Sequence, residues 1–440
     1  MKKMTAAIFF LLLILTSNSF AIELDLKMCI EAGIKNNPKV QSATYTELSK
    51  SEDVKSALLN LVLPDITITR SRQDLMSVGS SGSVDVEYLD QIADLTSFNI
   101  SKDIISLISD LPLYHRAGLE KKIAEYQKRQ TILQLVRDIS VTFYSILKVE
   151  QDIKSLRDAI SHLKVNYEYA KALFEKRFIP YTDVLNTKVD LEDAKQRLSI
   201  EKNKRLQYLS LLKTLIGIPP EEELKPKYNV PKRYSFNKSF EECLKIAFKN
   251  RPELQILEFR KRVYEDEKKV WLCRILPSLD VGISFNDYSR DYKEPGRSLF
   301  GYYNRDFEIS YWNAYVSMRW EFTSLPKNLV HIRRVNYDIK AVEKQIEDTR
   351  NSIEDEVRRY YLATKEALQR ITTTKIALKA AEENYRRAAE RFRLLLGSIS
   401  EVLDAQARLT RARANYSQAI LDFQASLANL KYAMGIGEGV

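Results

Sequence analysis

The sequence predicts a mainly α-helical chain with a small β part, built as one unit written twice. Three observations carry this: scarce chain-breaking residues, an internal repeat at fixed offset, and two zones where the apolar period changes from helical to alternating. The chain has 440 residues, 45% of them hydrophobic and 29% charged, which excludes a disordered polymer and a bundle of membrane helices. Only 12 Gly and 12 Pro interrupt it, so its elements should be few and long. Ala, Leu, Lys, Glu, Arg and Gln dominate the later part of each repeat, and these are strong helix formers.

The first 21 residues read as a secretory signal. Lys2 and Lys3 precede an apolar core from Ala6 to Leu15, and Ser19-Phe20-Ala21 offers a small-x-small cleavage site. Its removal lowers the net charge from +10 to +8. No later run approaches the ~18 apolar residues that a membrane helix needs. An exported chain of this kind is therefore soluble or contributes to a closed β-barrel. Cys29, Cys243 and Cys273 make an odd set that dictates no disulfide framework, and Cys29 and Cys243 read as small core residues.

The repeat is read from anchors. At an offset of 214, Cys29, Asn36, Pro38 and Gln41 match Cys243, Asn250, Pro252 and Gln255. At 218, Asn166-Tyr167, Phe174 and Gly217 match Asn384-Tyr385, Phe392 and Gly435, and Asp183-Val184-Leu185-Asn186 matches Glu401-Val402-Leu403-Asp404. The expected parts are repeat 1 at 22–217, a Pro-rich extended linker at 218–236 and repeat 2 at 237–440.

Each repeat should open with an amphipathic helix broken at Pro38 or Pro252, then turn at Leu63-Pro64 or Leu276-Pro277 into strands. The strand zones are about 64–103 and 276–322. In the second, Ser310, Trp312, Ala314, Val316, Met318, Trp320 and Phe322 fall on one face, and Asn313, Ser317, Arg319 and Glu321 on the other. That alternation suits a strand between lipid and water. A soluble sheet packed on helices satisfies it too. Two strands per repeat give four per chain, too few for the ~8 a closed barrel requires, so a membrane reading forces several chains to share one barrel.

About 110 residues of helical pattern follow in each repeat, interrupted near Phe178-Ile179-Pro180 and Leu396-Gly397-Ser398. From Val402, apolar positions run Ala405, Leu409, Ala412, Tyr416, Ala419, Phe423, Leu427, Leu430 and Met434, the three-four spacing of a coiled-coil seam. Val184, Leu191, Ala194, Leu198, Leu209, Leu212 and Ile216 form its first-repeat counterpart. Helices of some 55 to 65 residues would run roughly 80 to 100 Å, more than a globular core needs.

This order of parts resembles the TolC-type outer-membrane efflux protein family over nearly all of the mature chain. The most specific segments are the two turns, Phe174 to Asn186 and Phe392 to Asp404; the first carries Pro180 and no glycine where the family has a Gly. The resemblance implies a homotrimer whose chains share a twelve-stranded outer-membrane barrel, four strands each, continued by a coiled-coil α-helical barrel into the periplasm. It also implies a passive exit duct, without cofactor or resident metal, docked through a periplasmic adaptor to an inner-membrane pump in efflux or type I secretion. The C-terminal extension that some members carry is expected to be absent after Val440.

Glu401 and Asp404, three residues apart, share a helix face beside the second turn. By resemblance, that face lines the periplasmic mouth as a gate and selectivity ring, with Asp183 in the gate's links between helix pairs. The turns, with Phe178, Ile179, Thr182, Leu396, Gly397 and Ser400, are the expected adaptor contacts. The three histidines lack metal-ligand spacing, and no phosphate loop or catalytic triad occurs, so an enzyme is not expected. The arginines at 386, 387, 408, 411 and 413 read as a solvated face and not as a nucleic-acid site. From the residues alone, a non-channel periplasmic coiled-coil scaffold or adaptor stays open as the second reading.

Overall fold

The structure is a computed structural model that describes residues 22–81, 84–178, 180–219, 224–227, 234–292, 307–394, 396 and 399–437. The expected signal, 1–21, lies outside the described residues. In chain order the elements are β1 (Ile22–Leu24), α1 (Leu26–Asn36), α2 (Pro38–Val62), β2 (Asp65–Ser81), β3 (Val84–Asp103), α3 (Ser106–Glu175), α4 (Tyr181–Ile216) and β4 (Leu224–Pro226). The second half follows with α5 (Phe240–Asn250), α6 (Pro252–Cys273), β5 (Ser278–Tyr292), β6 (Phe307–Arg319), α7 (Ser324–Arg393) and α8 (Ile399–Ala433).

Element bounds coincide across the expected offsets. α1 and α5 are separated by 214 at both ends, and α3 and α7, each 70 residues, by 218 at both ends. The helical stretch divides unequally: α4 and α8 have 36 and 35 residues, so the expected 55 to 65 corresponds to neither kind. The division falls at the expected interruptions, with Pro180 as the N-cap of α4, while the one proline inside α3, Pro112, sits in its second turn. Pro112 has no N–H for the carbonyl of Ile108 four residues before it. The Cys273 thiol donates to that carbonyl instead, at 3.7 Å.

The chain forms two compact units. One, Glu47–Ala124 with Leu257–Gln345, holds a four-stranded antiparallel sheet in the order β2-β3-β5-β6. Its register sorts side chains into rows. Ile68, Phe98, Phe285 and Trp312 form one row, and Ile66, Ile100, Ile283 and Ala314 the next. Val281 with Val316 and Leu279 with Met318 continue the same face. Ile68, Trp312, Val316 and Met318 are all about 70% exposed, so this apolar face has no cover among the described residues. The opposite face carries Thr67, Asn99, Ser284 and Asn313 in one row. There Gly282 admits the ring of Tyr315, which reaches across to donate to Asn99 Oδ1 at 3.2 Å; a Cβ at 282 would lie 2.6 Å from that ring.

The strands end sooner than the alternation does. Trp320 and Phe322 lie beyond β6 with ring centroids 4.7 Å apart and planes tilted by 33°, and Trp320 Nε1 donates to the Ile275 carbonyl at 3.3 Å. Polar side chains fasten the strand ends to the helices. Lys102 bends from the apolar face to donate to the carbonyls of Asn60 and Leu63 at 2.6 and 3.0 Å, capping α2. Asp103 Oδ1 accepts from the N–H groups of Ile105 and Leu279 at 2.9 and 3.0 Å.

The other unit, Met1–Thr46 with Glu125–Ile256 and Ile346–Val440, contains the helical cores. In one, Cys29, Ile30 and Val40 pack on Ile139, Phe143 and Ile146 of α3 and on Leu212 and Ile216 of α4. In the second, Cys243 and Ala247 pack on Ile353 and Val357 of α7 and on Leu430, Ala433 and Met434 of α8. Of the seam expected from Val402, Ala405, Leu409, Ala419, Phe423, Leu430 and Met434 are buried, and Ala412, Tyr416 and Leu427 are half-buried. Cys29 and Cys243 are free thiols. Burial, with Asp25 nearby, pushes Cys29 up to about 12, so it stays protonated and inert.

Gly217 and Gly435 end α4 and α8 with φ of +75° and +69°, the left-handed region that glycine enters at least cost. A Cβ on either would come within 2.9 Å of the Asn36 or Asn250 carbonyl oxygen. The linker contributes one short strand. Its β4 pairs in parallel with β1, Ile22 opposite Leu224, and Leu224 is buried in the first core.

Candidate functional site

Most of the expected functional residues lie at the two helix turns. α3 ends in a Schellman closure: Phe178 N–H donates to the Leu173 carbonyl at 2.9 Å and Arg177 N–H to the Phe174 carbonyl at 2.8 Å. Arg177 adopts φ +60° where helices normally place glycine, a cost of roughly 1 kcal/mol. The absence of glycine therefore leaves the turn geometry intact. At the second turn Leu396 N–H donates to the Arg391 carbonyl at 2.9 Å, the same bond shifted by 218. Ile179 and Gly397 lie outside the described residues.

Phe178 and Leu396 are 73% and 68% exposed, beside Leu394 at 69%, so both turns present apolar groups to solvent. Phe174 and Tyr181 brace the first turn with ring centroids 5.2 Å apart. Thr182 is exposed in the first turn of α4, and Ser400 belongs to the first turn of α8. Asp183 and Glu401 each occupy the third position of their helix, where the helix dipole favours an acid.

Glu401 is exposed and lies 3.9 Å from Arg391 Nη1, while Arg391 Nη2 donates to the Leu396 carbonyl at 3.2 Å. Arg391 thus ties the turn to the carboxylate, a role that sequence reasoning missed. Its repeat counterpart is Leu173, so no repeated pattern pointed to it. Asp404, a turn later, is exposed and has no ion pair among the described residues. It lines a groove of about 730 Å³ between α3, α4 and α8, with His162, Arg197, Glu201 and Arg411.

Farther along the same groove Asp152 contacts Gln418 of α8. Burial and then the Glu201 carboxylate raise the Asp152 pKa, opposed by the Gln418 hydrogen bond and by Lys148 and Lys204. Lys148 Nζ reaches Asp422 Oδ1 at 2.8 Å, and Arg370 Nη1 reaches the other oxygen at 3.4 Å. The basic cluster of α7 and α8 is locally paired: Arg386 and Arg387 with Glu383, and Arg413 with Glu382.

The model of the outer membrane efflux protein family matches residues 243–436, from the first buried cysteine of the second core to the end of α8. Over that segment the chain is similar to the outer membrane efflux protein family. The fold of the whole chain agrees with it. The outer-membrane channel OprN superposes with a TM-score of 0.74 at 14% identity, over 94% of this chain and 90% of its own. The CmeC outer membrane channel of Campylobacter jejuni gives 0.77 at 15%, over 94% and 87%. The open-state MtrE outer membrane channel of Neisseria gonorrhoeae gives 0.64 at 17%, over 96% and 93%. No curated protein matches the chain by sequence.

Proposed function

We infer that the chain is a tandem duplication, that three copies make one outer-membrane duct, and that this duct passively passes solutes from an inner-membrane pump through a periplasmic adaptor. The sheet carries the reading. It has one uncovered apolar face and one polar face, and β2 and β6 each pair on one side only among the described residues. Exposed ladder edges beside an apolar face demand closure, and three sheets of this kind close with twelve strands. A periplasmic scaffold has no use for such a face. The coincident element bounds at 214 and 218 support the duplication. Purified from outer membranes in detergent, the chain is expected to be a trimer that conducts single-channel currents in a planar bilayer. A soluble monomer released by osmotic shock would sink the reading.

At the mouth, Glu401 and Asp404 of three copies form the cation-attracting constriction, with Asp183 linking helix pairs. Phe178, Ile179, Thr182, Leu396, Gly397 and Ser400 form the surface that meets the adaptor. Replacing Glu401 and Asp404 together by Ala should raise conductance and weaken divalent-cation block by about tenfold, equivalent to ~1.4 kcal/mol. Unchanged conductance and block remove both residues from the gate.

A further inference from the structure

Inside the chain, α3 packs beside α8. Lys148 on α3 pairs with Asp422 on α8 at 2.8 Å, and Tyr144 and Gln424 line one cavity between the same helices. Repeat exchange moves α3 onto α7 and α8 onto α4. Shifted by 218, Lys148 becomes Glu366 and Asp422 becomes Lys204. The charges invert, yet the pair stays complementary. The same exchange turns Tyr144 into Leu362 and Gln424 into Leu206. Tyr144 is 8% exposed under α8, whereas Leu362 is 58% and Leu206 61% exposed. The image of a buried contact is thus an uncovered apolar pair flanked by opposite charges. Glu366 and Lys204 meanwhile hold neighbours on their own helices, Arg370 at 2.5 Å and Glu201 at 2.6 Å.

We propose that α7 of one copy packs against α4 of the next through Leu362 on Leu206 and Glu366 on Lys204, the repeat-exchanged image of the contact between α3 and α8. The occupant of this face is a second copy of the chain, and the proposal rests on the duplicated, oligomeric reading above. Charge inversion gives the junction between copies a polarity different from that of the junction within a copy. A chain ordered by these pairs closes head to tail, α7 to α4, and cannot pair α7 with α7, where Glu366 would face its own kind.

The test uses the full chain in detergent, with Cys273 replaced by Ser so that the remaining native thiols are buried. Leu206→Cys with Leu362→Cys, treated with a short bismaleimide, should give covalent dimers and trimers on a denaturing gel, and neither single variant should. Glu366→Lys should lower the temperature at which trimers dissociate, and adding Lys204→Glu should restore it. Intact native trimers that yield only monomers after cross-linking, or a double charge reversal that restores nothing, overturn the contact while leaving the oligomer standing. Absence of any native trimer by light scattering overturns the oligomeric reading and the contact with it.

Discussion

If three copies assemble in the outer membrane as proposed, Val316→Arg is expected to abolish the assembled trimer, whereas Ser317→Arg, one residue away, should leave it. The two positions differ only in face. Val316 lies between Trp312 and Trp320, near the middle of the apolar band, level with Val281 on β5. From 312 to 320 the band runs about 27 Å along the strand, a span suited to a bilayer core once the strand tilts. An arginine at the midplane of a lipid-facing strand costs about 2–4 kcal/mol, and in the proposed trimer each of three copies would carry one. Ser317 pairs with Asp280 on the polar face, where an added guanidinium meets water and a carboxylate. Heat-modifiable trimer on a gel of outer-membrane extracts reads the outcome. Equal tolerance at both positions would show that the apolar face does not meet lipid.

What could be read from the sequence was what repeats or alternates. Pro38 and Pro252 announced helix breaks because each removes a backbone donor, and the breaks fall beside Asn37 and Arg251. Trp312 to Met318 announced a strand face because a period of two survives without any neighbour. The same period continued to Trp320 and Phe322 after the ladder had stopped, since alternation does not reveal where a hydrogen-bonding partner ends. The β1–β4 pair stayed invisible: three residues carry no period, and a proline-rich linker reads as extended chain. At the turns, exposed Phe178 and Leu396 were legible as apolar residues beside breakers. Arg391 was not, because its partners, the Leu396 carbonyl and Glu401, are brought to it only by the closed turn.

Arg251→Ala should destabilise the folded chain by about 3–5 kcal/mol, the cost of leaving a buried charge without its partner. Arg251 follows α5 at the proline break and is 3% exposed. Its guanidinium contacts Glu356 of α7, lies 3.4 Å from Glu253 Oε1 and rests 4.9 Å from the Tyr432 ring centroid. Arg137 covers the same ring at 4.5 Å, and Gln130 Nε2 donates to Glu253 Oε1 at 3.3 Å. Arg251 Nε and Glu253 Oε2 already lack partners, so the cluster has no spare donor to absorb the loss. At the corresponding place in the first repeat, Asn37 does the fastening with a neutral amide, donating to the Leu215 carbonyl at 2.9 Å. A neutral group therefore suffices to hold the break, and the charge at Arg251 is an addition that its carboxylates must match. Removing both sides, Arg251→Met with Glu356→Leu, should recover most of the loss, because an apolar pair of similar volume carries no desolvation penalty. Thermal unfolding rates of the purified protein distinguish these outcomes. A single variant within ~1 kcal/mol of the parent, or a double variant no better than the single, would show that the cluster does not hold α5 and α6 to α7.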